Sequence, residues 1–164
     1  MVSFLYRMPN GIPGDVSRPS QSTIEAQLKN SALPFTRYGI PGKIAGGKFV
    51  PLAGAEAGTA VYGFLVRPFP TQGANPSDPL GDAVPAADSG AADVMRRGYM
   101  TVKLNAGVAA LGGAVFVRVA DGTVNQPIGG IEAAADAGDC VAIPGCSFMG
   151  AADASGNVEI AFNI

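Results

Sequence analysis

The sequence contains no histidine and no tryptophan, and only two of its 164 residues are cysteine. Without histidine, the chain has no Ser-His-Asp triad, no Cys-His pair and no histidine metal ligand. The spacing of Cys140 and Cys146 matches no zinc motif. We expect two buried thiols in neighbouring strands, since a disulfide would need Cα atoms within about 7 Å of each other. The sequence therefore predicts a protein that is not an enzyme and needs no cofactor or metal.

Charge is sparse and nearly balanced. Eleven Lys and Arg residues stand against thirteen Asp and Glu, for a net charge of −2. The only adjacent basic pair is Arg96-Arg97, so we expect no nucleic-acid partner. No apolar run reaches the roughly 18 residues of a membrane span, and we expect no membrane partner. The start of the chain lacks a basic segment followed by a long apolar one, which predicts a product that stays in the cytoplasm after synthesis.

Glycine and proline are abundant, with 23 and 13 residues, which is typical of short strands joined by many turns. The clearest strands lie between Arg96 and Ala120, where apolar side chains alternate on each side of a short connection. This connection is too short for a crossover helix, so we predict a central antiparallel pair. Further strands are predicted at 48–52, 59–67, 127–132, 139–143, 146–150 and 157–164. Such spacing predicts an all-β sandwich or barrel.

Two segments interrupt this pattern. Residues 1–34 are predicted to be an N-terminal arm with one short helix from Ser20 to Asn30, because Ser22-Thr23-Ile24-Glu25 has the form of a capping box. Residues 35–164 are predicted to be a single β domain. Within it, residues 68–93 form a proline-rich stretch without any period, which predicts either a contact loop or a mobile surface loop.

Few residues suggest chemistry. Glu132, Asp136 and Asp139 are close in sequence, and we interpret them as acidic residues on turns, with a carboxylate hydrolase as a remote alternative. Residues 153–159 faintly resemble a calcium loop, but their spacing favours a hairpin turn. Arg96 and Arg97 are interpreted either as a solvated strand end or as a contact to acidic groups of a partner, because guanidinium groups suit paired carboxylate contacts.

Six short motifs follow one another in a recognisable order. They are Gly14-Asp15-Val16-Ser17-Arg18-Pro19 and the segments 35–41, 61–68, 96–102, 112–119 and 156–163. In this order, the chain from Gly11 onward resembles the structural cement proteins of tailed bacteriophage heads, and in particular those of Bordetella-type short-tailed phages. The family has no catalytic residues that could be transferred.

The resemblance implies a jelly-roll-like body on the outer surface of the capsid, spanning neighbouring major-capsid subunits. It implies localisation to the virion after assembly in the bacterial cytoplasm, and self-association, as a homodimer or alternatively a trimer. Other virion roles, such as a head–tail joining or fibre-base protein, remain alternatives, as does a carbohydrate-binding module, although the lack of tryptophan counts against it. The expected partner contacts are Asp15, Arg18, Pro19, Arg67, Pro68, Arg96 and Arg97.

Overall fold

The computed structural model describes residues 10–68 and 84–164, and these residues form an almost entirely β structure. The strands are β1 (Thr23–Leu28), β2 (Pro41–Ala45), β3 (Lys48–Pro51), β4 (Gly63–Leu65), β5 (Ala91–Ala106), β6 (Ala114–Arg118), β7 (Ile131–Glu132), β8 (Cys140–Phe148) and β9 (Asn157–Phe162). Two single-turn 3-10 helices cover Pro19–Gln21 and Gly58–Ala60. The prediction of an all-β barrel or sandwich is confirmed.

Five strands close into a barrel. Their order is β5-β7-β6-β8-β9, and β9 pairs again with β5. All these pairings are antiparallel except that of β5 with β7. The barrel interior holds alternate residues of its strands, each worth about 1.5–3 kcal/mol when fully buried. These include Met100, Val102, Val115, Val117, Ile131, Phe148, Val158, Ile160 and Phe162.

A second, smaller sheet extends from the other half of β5. There β5 lies between β1 and β4, and β4 continues to β2 and β3. This sheet encloses its own apolar cluster, in which Phe35 stacks on Phe49 with ring centroids 4.9 Å apart. As expected for a strand with a proline, β3 lies at the end of the strand order.

Strand β5 belongs to both sheets because it turns at Gly98. The pairing with β1 ends at Arg97, and the pairing with β9 begins at Gly98. Gly98 has a φ of +136°, and a Cβ at this position would lie 2.1 Å from the Oγ of Ser22. Glycine is therefore required here by both the backbone conformation and the close approach of a neighbouring segment.

The N-terminal segment lies along the second half of β5. Residues 10–18 include a turn, in which Asp15 N–H donates to Ile12 O at 3.1 Å. The backbone of Gly14 donates to Thr101 (2.8 Å), and Thr101 donates to Asp15 (2.9 Å). Ser17 donates to Tyr99 at 3.1 Å. The predicted arm is thus part of the body from residue 10 onward, and residues 1–9 lie outside the described residues. The division of the chain at residue 34 stays a prediction.

The predicted helix from Ser20 to Asn30 is wrong. The segment forms one 3-10 turn and then β1, which pairs with β5 over its whole length. A capping box and two apolar residues stabilise a short helix only weakly. The backbone of β5 pairs instead with every residue of β1, with one irregularity between Thr23 and Ile24. The pairing continues to the hydrogen bond from Lys29 N–H to Gly90 O (3.0 Å).

The predicted central pair is also wrong in its pairing. β5 and β6 are both strands, but the two-residue strand β7 lies between them. The connection is not a tight hairpin, because Ala109 is buried in the barrel core and the two strands are held apart. β5 also begins at Ala91, inside the predicted loop 68–93, while residues 69–83 of that loop lie outside the described residues.

We predict that Gly98→Ala lowers the free energy of unfolding by about 3 kcal/mol, because it combines a strained φ with a steric clash. Gly46→Ala is the matched control, since Gly46 also has a positive φ (+58°) but no atom within 4 Å of its Cβ position. There the cost is about 1 kcal/mol. Urea unfolding followed by circular dichroism measures both, and equal costs would contradict the assigned role of Gly98.

Candidate functional site

Most of the predicted contact residues lie near the bend of β5. Arg96 and Arg97 precede Gly98 on β5, and Arg18 and Pro19 lie where the N-terminal segment leaves it. Arg67 follows β4 and donates its backbone N–H to Gly14 O at 2.8 Å. The fold therefore brings the N-terminal segment next to both β5 and the end of β4.

Three of the predicted arginines stack on tyrosines. The guanidinium carbon of Arg18 lies 4.0 Å from the ring centroid of Tyr99. The corresponding distance is 3.6 Å from Arg96 to Tyr62 and 5.5 Å from Arg67 to Tyr38. Each contact is worth about 0.5–2 kcal/mol, depending on solvent exposure. These arginines thus stabilise the fold as well as contribute to its surface.

Arg18 also fastens the N-terminal segment to β9. Its Nη2 lies 2.9 Å from Glu159 Oε2 and its Nε lies 3.2 Å from Oε1, which is a paired guanidinium–carboxylate contact. Ser17 Oγ donates to the same carboxylate at 2.5 Å. Because these groups are partly exposed, the ion pair alone contributes about 1 kcal/mol or less, and the backbone hydrogen bonds of the segment provide the remaining attachment.

Asp153 holds the start of this segment. Its Oδ1 accepts the backbone N–H groups of Ser155 and Asn157, both at 2.9 Å, and its Oδ2 accepts that of Asn10 at 3.0 Å. Burial raises the pKa of this carboxyl, but the backbone hydrogen bonds outweigh burial, and the net pKa lies below its usual value. The predicted hairpin turn is present, and its carboxylate is occupied by backbone donors.

Five of the seven predicted residues are exposed. They are Asp15, Arg18, Pro19, Pro68 and Arg97. Within residues 10–68 and 84–164, no ion pair holds Arg97 or Asp15. Arg96 already has an acidic neighbour, since its Nη1 lies 3.6 Å from Glu25 of the same chain. A contact to acidic groups of a partner therefore fits Arg97 better than Arg96.

A buried charge cluster was missed by the sequence analysis. Arg118 is 2% exposed, and its Nε donates to Glu132 Oε1 at 2.7 Å, with Glu132 only 1% exposed. Its other nitrogens donate to Asp136 at 2.8 Å and to Asp139 at 3.4 Å. The three carboxylates interpreted as turn residues therefore converge on one guanidinium. The alternation of β6 indicates that Arg118 faces away from the valines of this strand. It does not indicate that the segment from Glu132 to Asp139 covers the side chain.

The Arg118 cluster is suited to holding loops rather than to catalysis. Hydrogen bonds from Glu132 and Asp136 raise the pKa of Arg118, so the guanidinium remains charged and is no proton donor. Burial, followed by a hydrogen bond to Glu132, raises the pKa of the nearby Cys140 thiol to about 11. Cys140 and Cys146 are free thiols on the same strand, β8, so the expectation of neighbouring strands is wrong.

A family model described as XM1 gp53 minor capsid protein matches residues 1–162. The chain belongs to this minor capsid protein family. A chain in the solved structure titled "The capsid of Myoviridae Phage XM1" superimposes with a TM-score of 0.72 at 18% sequence identity, covering 98% of this chain and 95% of that one. This likeness shows a shared fold. No curated protein sequence matches the chain.

The protein is thus a structural, capsid-associated protein of a phage virion. Within the described residues, no group of three or more potential metal ligands surrounds a common point. No helix of the same residues is long and apolar enough to cross a membrane. The exposed residues around the bend of β5, namely Arg18, Pro19 and Arg97, are the candidate contact surface.

We predict that Arg118→Met lowers the free energy of unfolding by about 3–5 kcal/mol, since it leaves Glu132 buried without a partner. The double variant Arg118→Met/Glu132→Leu removes both charges and is expected to lose less than the single variant. Urea unfolding provides both values. Lys29→Met is the control, because its partner Asp88 is 55% exposed and the loss there is about 1 kcal/mol or less. A double variant as unstable as the single one would contradict the argument.

Proposed function

We propose that this minor capsid protein binds the outer surface of the phage head and cements neighbouring major-capsid subunits. The observation that carries the proposal is the family match over residues 1–162, which makes the chain a capsid protein. A chain that adds to an existing shell needs a stable body and a contact surface. A set of chemical groups for catalysis is not needed, and we propose no enzymatic activity.

The firm attachment of the N-terminal segment, residues 10–18, supports this role. Backbone hydrogen bonds and the Arg18–Glu159 ion pair hold residues 10–18 against the barrel. Exposed residues on this segment and on β5, such as Asp15, Pro19 and Arg97, are therefore positioned before binding. Pre-organised contacts lose less conformational entropy when a complex forms, and modest contacts repeated at several subunits add to a large avidity.

We propose the major capsid protein and a second copy of this chain as partners, in a homodimer with a trimer as the alternative, and no role for nucleic acid or membrane. The protein would act at the outer surface of the virion after synthesis and assembly in the host cytoplasm. A particular relation to Bordetella-type phages and the jelly-roll description stay predictions.

A head–tail joining or fibre-base role is the second candidate. It is favoured by the family description itself, because "minor capsid protein" fits a component present in few copies at one position. The two candidates differ in the number of sites per head. A cement protein has many equivalent sites over the shell, whereas a joining protein has a single ring of sites.

Co-sedimentation with heads tests the proposal. We expect saturable binding of the purified full chain to expanded heads of its own phage from which the protein has been stripped, with many copies per head. Immature, unexpanded heads serve as the comparison. A single ring of bound copies would favour the joining role, and no binding to either form would contradict the proposed function.

The same assay tests Arg97. Arg97→Gln removes an exposed positive charge and is expected to weaken binding to heads by about tenfold if the guanidinium contacts an acidic group, which corresponds to about 1.4 kcal/mol. Lys48→Gln on β3 is the matched control, since it removes the same charge away from the bend of β5. Equal binding of the two variants to heads would show that Arg97 is not part of the contact surface.

A further inference from the structure

Strand β1 has one paired edge and one open edge. Among the residues that the structure describes, β5 is the only strand that pairs with β1 along Thr23–Leu28, and a single parallel bridge between Lys29 and Phe49 follows its end. The N–H of Lys29 points to β5, where it donates to Gly90. Strand alternation then turns the backbone groups of Ile24 and Ala26 away from β5, toward the open edge.

The open edge of β1 carries neither lysine nor proline, two residue types that commonly prevent an edge strand from pairing with another chain. Ile24 and Leu28 are 42% and 54% exposed, and Thr23–Leu28 contains no lysine and no proline. The other terminal strand, β3, carries both Lys48 and Pro51. Lysine and proline on edge strands are common means by which proteins prevent edge-to-edge association. The difference between the two edges suggests that β1 is covered by a partner strand.

We propose that this edge joins two copies of the chain, with the two β1 strands antiparallel across a two-fold axis. The sequence of β1 suits its own copy because its exposed side chains divide by face. Ile24, Ala26 and Leu28 share one apolar face, while Glu25 and Gln27 lie on the other and both contact the Tyr62 hydroxyl. With a two-fold axis at Ile24, antiparallel pairing places the two Ile24 side chains beside each other on the apolar face and each Glu25 opposite Thr23 of the other copy.

The neighbouring elements select one register. An axis at Ala26 would place the second copy beside Leu28, where the bridge between Lys29 and Phe49 already brings β3 to the edge. An axis at Glu25 would place two carboxylates directly opposite each other, which is destabilising. An axis at Ile24 avoids both problems. The two Ile24 residues then exchange backbone hydrogen bonds, and each Ala26 N–H reaches the carbonyl of Ser22 in the other copy.

This inference rests on the proposed self-association and specifies the surface for it. The main test is Ala26→Pro in the full chain, because proline removes only the N–H that faces away from β5 and leaves the β1–β5 ladder intact. Ala26→Val is the matched control, since it adds bulk but retains the N–H. Light scattering should give a dimer for the wild type and for Ala26→Val. For Ala26→Pro, the dissociation constant should rise about tenfold or more.

Circular dichroism and the urea midpoint show whether Ala26→Pro keeps the monomer fold. A dimer that is insensitive to this variant, or a wild-type chain that is monomeric at all concentrations, would overturn the proposal. Head binding is measured on the same samples. A monomeric chain that binds expanded heads would overturn this inference and support the proposed function, whereas a β1-dependent dimer that binds no heads would do the opposite.

Oxidative cross-linking tests the register independently of the molar mass from light scattering. Ile24→Cys places two thiols opposite each other across the axis, within the Cα separation of a disulfide. In the same register, the two copies of Leu28→Cys would be roughly 25 Å apart along the strands. We expect a covalent dimer from Ile24→Cys but not from Leu28→Cys, with the wild type as background for Cys140 and Cys146. No dimer from Ile24→Cys above this background would overturn the register and the proposal.

Discussion

The structure depends on one strand that serves two sheets. β5 spans sixteen residues, and its halves have different neighbours on either side of Gly98. Only a residue that tolerates a φ of +136° and the contact with Ser22 permits this change. The bend sets the position of the small sheet on the barrel. Ser22 meets Gly98 and Arg18 stacks on Tyr99, so the bend also sets where Arg18, Pro19 and Arg97 lie on the surface.

Two sets of polar contacts fasten the irregular segments to this framework. Arg118 holds the connections on both sides of β7 through a guanidinium that is almost fully buried. Asp153 and Glu159 hold the two ends of the N-terminal segment. A buried guanidinium with three carboxylates is stable only while all partners remain in place. The segments so fixed give the protein a defined surface, as expected for a structural component of a virion.

The sequence predicted those features that depend on local pattern. The strand predicted at 157–164 is present as β9, and its alternate residues Val158, Ile160 and Phe162 face the barrel core. The helix predicted at Ser20–Asn30 was wrong, because this segment pairs with β5, which lies more than sixty residues further along the chain. A strand of two residues such as β7 has no period that could be detected. The partners of Arg118 follow it by 14 to 21 residues, so their convergence follows from the fold and has no counterpart in a motif. The seven contact residues stay a prediction, and the sequence did not indicate that Arg18, Arg67 and Arg96 stack on tyrosines of the same chain.

The central claim is that this minor capsid protein stabilises the phage shell. The most direct measurement compares heads assembled with and without the chain, by the temperature at which packaged DNA becomes accessible to a dye. If the protein cements the shell, heads without it release DNA at a lower temperature, and adding the purified chain to them restores the original value. Heads that are equally stable in its absence would contradict a cementing role and leave the protein a different place in the virion.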